Sequence, residues 1–197
     1  MTNRLIIGIS GASGVIYGIR LLEVLAQDNT IETHLVLSGA AKATITQETD
    51  WTVKAVEALA DVVHTPGNIG ASIASGSFDT LGMIVAPCSI KSLSAIAHSY
   101  DADLIARAAD VQLKEGRPVL LLVRETPLHI GHIRLMLHAA ENGAILMPPV
   151  PAFYGKPQTI NDIINQTLGR ALARIGIKNQ LYFEWLGMGK DKSGDGE

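Results

Sequence analysis

The stretch Arg4-Leu5-Ile6-Ile7-Gly8-Ile9-Ser10-Gly11-Ala12-Ser13-Gly14-Val15-Ile16-Tyr17-Gly18 constrains the fold more than any other part of the chain. Leu5, Ile6, Ile7 and Ile9 run without polar alternation, which suits a strand covered on both faces, as in a parallel sheet. Ile16, Ile19 and Leu22, with Leu21 and Leu25, then recur at helical intervals. Gly11, Ser13 and Gly14 form the turn between. Small side chains there let a ligand approach the backbone. The first amides of the next helix carry the positive end of its dipole. The turn is therefore a candidate phosphate seat, with the Ser13 hydroxyl as an extra donor. Its glycines lack the closely spaced pair of the dinucleotide fingerprint, so the turn alone fits a plain strand-to-helix connection equally well.

The same logic repeats along the chain. Ile31 to Ser38 reads as a strand, and Ser38 as the N-cap of a helix running through Ile45. Glu48-Thr49-Asp50-Trp51 either faces a site or forms a solvated turn. A short helix over 52–59 and a short strand over 61–64 follow. Residues 65–77, rich in Gly, Ser and Ala, read as a loop over a site. Leu81 to Ala86 is a buried strand ending at Pro87-Cys88-Ser89-Ile90-Lys91-Ser92, from which a helix runs toward His98. That strand end delivers Ser89, Lys91 and Ser92 to a helix N-terminus, where they can bind an anion. Cys88 reads as a small buried residue without chemistry.

A helix over 103–115 sets Arg107 and Lys114 on one side, two turns apart, with Asp110 as a partner for Arg107. The strand over 118–123 ends at Arg124-Glu125. Ligands of open α/β sheets bind beyond such carboxyl ends. A helix over 130–141 and a strand over 144–147 follow. Pro148-Pro149-Val150-Pro151-Ala152-Phe153-Tyr154 is a stiff extended segment whose prolines can hold Tyr154. The helix over 160–175 carries Arg170 and Arg174. Residues 190–197 are polar and glycine-rich and are expected to be disordered, leaving 1–189 as a single domain. The strand–helix alternation predicts a three-layer α/β/α domain with a parallel sheet.

Charged residues make up only 18% of the 197, against about 25% in a typical chain. So few charges predict extensive subunit contacts. A net charge of -3 argues against nucleic acid as a partner. The single cysteine fits a reducing cytosol. No leader-like opening and no apolar run near membrane-spanning length is present, which points to a soluble cytoplasmic protein. No His/Cys spacing suggests a metal, and no GxxxxGK[ST] loop suggests triphosphate hydrolysis. Lys91, Lys114, Arg124 and Arg170, with two helix N-termini, are suited to more than one phosphate. A phosphate held by Arg and Lys can also be a stabilised leaving group.

Five segments together resemble the UbiX/Pad family of flavin prenyltransferases. They are Gly8 to Gly14, Pro87 to Leu93, Ala108-Ala109-Asp110-Val111-Gln112-Leu113-Lys114-Glu115, Arg124-Glu125-Thr126-Pro127-Leu128, and Met147 to Tyr154. The resemblance runs from about residue 4 to about residue 175. It implies a flavodoxin-like, Rossmann-like fold and a homododecamer binding FMN between subunits. The implied reaction transfers a dimethylallyl group from dimethylallyl phosphate to N5 and then C6 of reduced FMN. The product, prenylated FMN, is the cofactor of UbiD-type decarboxylases, and no metal is needed. Gly11, Ala12, Ser13, Ser38, Ser89, Ile90, Lys91, Ser92 and Arg124 correspond to FMN-binding positions. Lys114, Tyr154 and Arg170 correspond to residues that hold the dimethylallyl phosphate group, with Arg124 and Glu125 nearby and Arg107 a further candidate. Ser13 and Glu48 correspond to a pair that assists proton movement.

Two departures stand out: Gly116 where the family usually has arginine, and Gly155-Lys156 where His-Arg is common. The rival readings are a flavoprotein decarboxylase of cysteinyl peptides or phosphopantothenoylcysteine and a catalytically silent FMN carrier or assembly protein. The former's Pro-x-Met-Asn segment is missing at Pro87-Cys88-Ser89-Ile90. The latter would have no use for a second phosphate site.

Overall fold

The computed structural model describes residues 3–185 and Gly187. The expected tail at 190–197 lies outside the described residues. In chain order the elements are β1 (Asn3–Ile9), α1 (Val15–Leu25), β2 (Ile31–Leu37), α2 (Gly39–Glu48), α3 (Val53–Glu57), β3 (Val62–His64), β4 (Gly82–Cys88), α4 (Ile90–Ala97), α5 (Leu104–Lys114), β5 (Val119–Val123), α6 (Ile130–Glu141), β6 (Ile145–Leu146) and α7 (Ile160–Arg174). The chain divides into two compact units, Met1–Pro149 with the whole sheet and Val150–Glu197 with α7.

Every strand pair in the first unit is parallel, in the order β3-β2-β1-β4-β5-β6. The chain builds outward from β1 through β2 to β3, then returns to β4 on the other side. The switch point, where two neighbouring strands send their connections in opposite directions, lies between β1 and β4. The unbroken apolar runs of β1, β4 and β5 are explained by helices on both faces. Ile6, Val36, Met83, Val85, Val119 and Leu121 pack into one cluster with Leu93, Ile96, Ile105 and Ala109 of α4 and α5. Ile9, of opposite parity on β1, meets α1 at Gly18. This is the three-layer α/β/α arrangement expected from the alternation.

The carboxyl ends at the switch point are fastened to one another. Ser10, buried just past β1, donates its hydroxyl to the Pro87 carbonyl at 2.8 Å and accepts from the Ser89 amide at 2.7 Å. The Ser38 amide donates to Ile9 O at 3.0 Å, and the Arg124 amide to Cys88 O at 3.0 Å. Among the described residues no helix is long and apolar enough to cross a membrane.

Cys88 is fully buried, and burial pushes its thiol up to about 12. Its thiolate is therefore negligible at neutral pH. Native protein should leave this single thiol unmodified by a maleimide or disulfide reagent over hours, and the denatured chain should react with one equivalent. Rapid labelling of the native protein would refute the assignment.

Candidate functional site

The turn after β1 and the starts of α2 and α4 surround a cavity of about 500 Å³. Gly11, Ser38, Ser89, Lys91 and Ser92 line it, together with Pro66, Gly67 and Ile69 of the 65–77 loop and Asp103 ahead of α5. Five of the expected FMN-binding residues thus share one wall-to-wall space. Ala12 and Ser13 continue the Gly11 turn, and Ile90 opens α4. The glycine-rich loop does reach over this space, as its composition suggested.

The helix starts carry the donors. The Ser38 hydroxyl caps α2 by accepting from the Ala41 amide at 3.0 Å. Ser89 caps α4, accepting from the Ser92 amide at 3.3 Å and donating to the Ser92 hydroxyl at 3.2 Å. The earliest amides of both helices have no partner within their own helix and point their dipoles' positive ends at the cavity. Lys91 adds a full charge, and among the described residues it has no ion-pair partner. Asp103 is held to its own helix, accepting from the Ala106 amide at 3.1 Å. The set of small residues, hydroxyls, two helix starts and one lysine fits a flavin mononucleotide and its phosphate.

The first turn differs from the simple phosphate seat read from its glycines. Gly14, at φ 93°, is the N-cap of α1, and its amide donates to Glu48 Oε2 at 2.8 Å. An anion thus already sits at that helix start, in the form of a carboxylate carried by the last residue of α2. The open anion seats are those of α2 and α4. Through Glu48 the 48–50 turn thus meets the start of α1, at the residue that follows Ser13.

The other cations fall into two groups. Arg107 pairs with Asp101 at 3.0 Å and Asp110 at 3.5 Å and donates to Ala74 O at 3.4 Å. Lys114 pairs with Glu115 at 2.6 Å, and Lys114 holds the Glu115 carboxyl below the usual range. Arg124 and Arg170 have no ion pair among the described residues. Glu125 accepts from the Thr126 amide at 2.9 Å. Lys114 closes α5, whose other end borders the cavity at Asp103. At about 1.5 Å per residue the two ends stand roughly 16 Å apart. The single chain therefore does not bring Lys114 to the cavity. Tyr154 and Arg170 belong to the second unit.

Gly116 has a structural reason. It follows the last turn of α5 at φ 68°, its amide bonded to Leu113 O and the Arg117 amide to Gln112 O, the Schellman closure. A Cβ there meets nothing within 4 Å, so only the backbone conformation is at stake. Gly116→Arg should lower unfolding stability by about 1 kcal/mol, read as a lower urea midpoint at constant slope. An unchanged midpoint would contradict the capping role.

Three residues escaped the sequence reading. Ser10 was visible only as a strand end, Asp103 only as a helix start, and Gln166 not at all. Gln166 is one of several polar residues in the stretch 161–167, and only its place three after Ile163 and one turn before Arg170 sets it on a shared helix face.

Comparison with known proteins gives a consistent result. The Flavoprotein family model matches residues 1–172. Flavin prenyltransferase UbiX of Escherichia coli (strain K12) is 60% identical over 186 residues, covering 93% of this chain and 98% of that protein. The crystal structure of AnUbiX (PadA1) in complex with FMN and dimethylallyl pyrophosphate superposes with a TM-score of 0.92 at 45% identity, covering 95% of this chain and 99% of that one. A dodecameric FMN-dependent UbiX-like decarboxylase from Escherichia coli O157:H7 gives a TM-score of 0.91 at 44% identity, covering 93% and 100%.

Proposed function

The chain belongs to the UbiX flavin prenyltransferases of the flavoprotein family, and from that premise we propose how its residues divide the work. The protein transfers a dimethylallyl group from dimethylallyl phosphate to N5 and C6 of reduced FMN, giving the prenylated FMN used by UbiD-type decarboxylases. Bound reduced FMN supplies the electron-rich atoms that accept the five-carbon unit. Gly11, Ala12, Ser13, Ser38, Ser89, Ile90, Lys91, Ser92 and Arg124 hold FMN. Lys91 and the starts of α2 and α4 neutralise its phosphate. Glu48, kept at the α1 turn by the Gly14 amide, forms with Ser13 the pair that moves a proton.

Lys114, Tyr154 and Arg170 hold the dimethylallyl phosphate group, with Arg107, Arg124 and Glu125 beside it. Their charges stabilise the phosphate as it leaves, where negative charge grows in the transition state. Lys114 and the cavity stand far apart in one chain. This supports a site formed between subunits of a homo-oligomer, a dodecamer as in the E. coli O157:H7 relative. Residues 1–189 work as one flavoprotein domain, a reading supported by a family match that runs across both units. A cytoplasmic location suits the lone buried cysteine.

The observation that supports this reading best is the cavity at the switch point, lined by Gly11, Ser38, Ser89, Lys91 and Ser92. The test is anaerobic: protein, FMN reduced by dithionite, dimethylallyl phosphate, then mass spectrometry of the released flavin. A gain of one five-carbon unit is expected. Unmodified FMN, recovered from protein that binds both ligands, would leave the carrier reading in its place.

A further inference from the structure

Gln166 lies on α7 with only 9% of its surface exposed. Its amide makes three hydrogen bonds. The Phe183 backbone amide donates to Oε1 at 2.7 Å, Nε2 donates to the Tyr154 hydroxyl at 2.7 Å, and Nε2 also reaches the Phe183 carbonyl at 3.3 Å. The Phe183 main chain fixes which end of the amide is which. A backbone N–H can only donate and a backbone carbonyl can only accept, so oxygen faces the first and nitrogen the second. It follows that Nε2 donates to Tyr154, and that the Tyr154 oxygen accepts. The single phenolic proton is then not spent on Gln166.

The surroundings favour a use for that proton. Tyr154 is 38% exposed, and its ring meets Trp185 edge-on at 5.6 Å. Arg170 follows Gln166 by one turn of α7, so their Cβ atoms are about 6 Å apart on the same side of the helix. Arg170 is exposed and free of ion pairs among the described residues. The arrangement presents a guanidinium and a hydroxyl donor, with the hydroxyl's polarity set from behind.

We propose that Gln166 is a positioning residue for dimethylallyl phosphate: it orients Tyr154 so that the phenolic proton donates to a phosphate oxygen, and it ties the 183–185 segment to the same site. This rests on the reading that Tyr154 and Arg170 hold the phosphate. The prolines ahead of Tyr154 limit the backbone, but the hydroxyl is fixed by Gln166.

Gln166→Glu is the decisive variant, because it is nearly isosteric and reverses one bond. Its carboxylate still accepts from the Phe183 amide but cannot donate, so Tyr154 turns its proton inward. The KM for dimethylallyl phosphate should rise about tenfold, the cost of one such hydrogen bond, while the affinity for FMN stays unchanged. The new charge could itself repel phosphate, so the same substitution is made in the Tyr154→Phe background. There the rise should shrink to less than about threefold. An equal rise in both backgrounds, or no rise in the first, overturns the proposal. If the glutamate variant fails to fold, Gln166→Met, which removes the donor that orients the hydroxyl without capturing its proton, should give a smaller rise that also disappears in the Tyr154→Phe background; no rise, or an equal rise in both backgrounds, overturns the proposal. Tyr154→Phe alone separates the two levels. If it leaves KM unchanged, the phosphate-binding reading fails. If it raises KM while the Gln166 variants do not, only the positioning role fails.

Discussion

Arg170→Ala is expected to slow prenyl transfer by about 100-fold or more while leaving FMN affinity and stability nearly unchanged. The reacting bond joins an allylic carbon to a phosphate oxygen. As that bond lengthens, negative charge accumulates on the departing phosphate and positive charge on the allyl group. A guanidinium offers two parallel N–H donors matched to two phosphate oxygens. Hydrogen bonds to a charged group contribute about 1.5–3 kcal/mol each. A loss of about 2.7 kcal/mol in the transition state gives a hundredfold slower rate. The side chain is exposed on α7 and carries no ion pair among the described residues, so truncating it leaves nothing buried and unpaired. The stability change should stay within about 0.5 kcal/mol. Arg170→Lys should recover only part of the rate, since it restores charge without the fork. Single-turnover prenylation under saturating dimethylallyl phosphate checks the claim, and an unchanged rate in Arg170→Ala would refute it.

What could be read from the sequence, and what could not, follows from the range of the interactions involved. The strands were legible because a sheet buried on both faces needs uninterrupted apolar residues, as in Leu5 to Ile9 and Val119 to Val123. The Ser38 cap was legible because capping is a contact three residues long, whereas Ser89 was read as an anion ligand and also caps α4. The apolar residues of α5 do not fall on one narrow stripe, because Leu104, Ile105, Ala106, Ala108, Ala109, Val111 and Gln112 are all buried. What stayed hidden joins residues far apart in the chain. Strand order decides that Ser10 meets Pro87 and Ser89, and no local pattern encodes it. The Glu48 bond to Gly14 spans 34 positions and depends on where α2 ends beside α1. Gln166 to Phe183 spans 17. Motif similarity supplied the reaction, but the polarity of a phenolic hydrogen bond needs both partners in place.

Gly18→Ala should destabilise the first unit by about 3 kcal/mol and should weaken FMN binding with it. α1 lies so close to the sheet that a Cβ at position 18 would fall 2.5 Å from Ile9 Cδ1 and closer still to the Ala86 carbonyl oxygen. The carbonyl belongs to the backbone of β4 and cannot turn away. Ile9 is fully buried and has no space to move into. The helix must therefore lift, and Val15, Ile19, Leu21 and Leu22, all fully buried, lose contact with their neighbours as it does. Overpacking of this kind costs about 1–3 kcal/mol, and a backbone obstacle puts it at the upper end. The displacement also reaches the Gly11 to Gly14 turn, which leads directly into α1 and borders the switch-point cavity at Gly11. Chemical denaturation gives the first effect and flavin-fluorescence titration the second. Ile9→Ala alone is itself destabilising through the cavity it leaves, so the informative comparison is made in that background, where Gly18→Ala should still show most of its effect because the Ala86 carbonyl remains. A Gly18→Ala change that costs nothing there would show that the Ile9 side chain alone, and not the close helix–sheet approach, sets the limit.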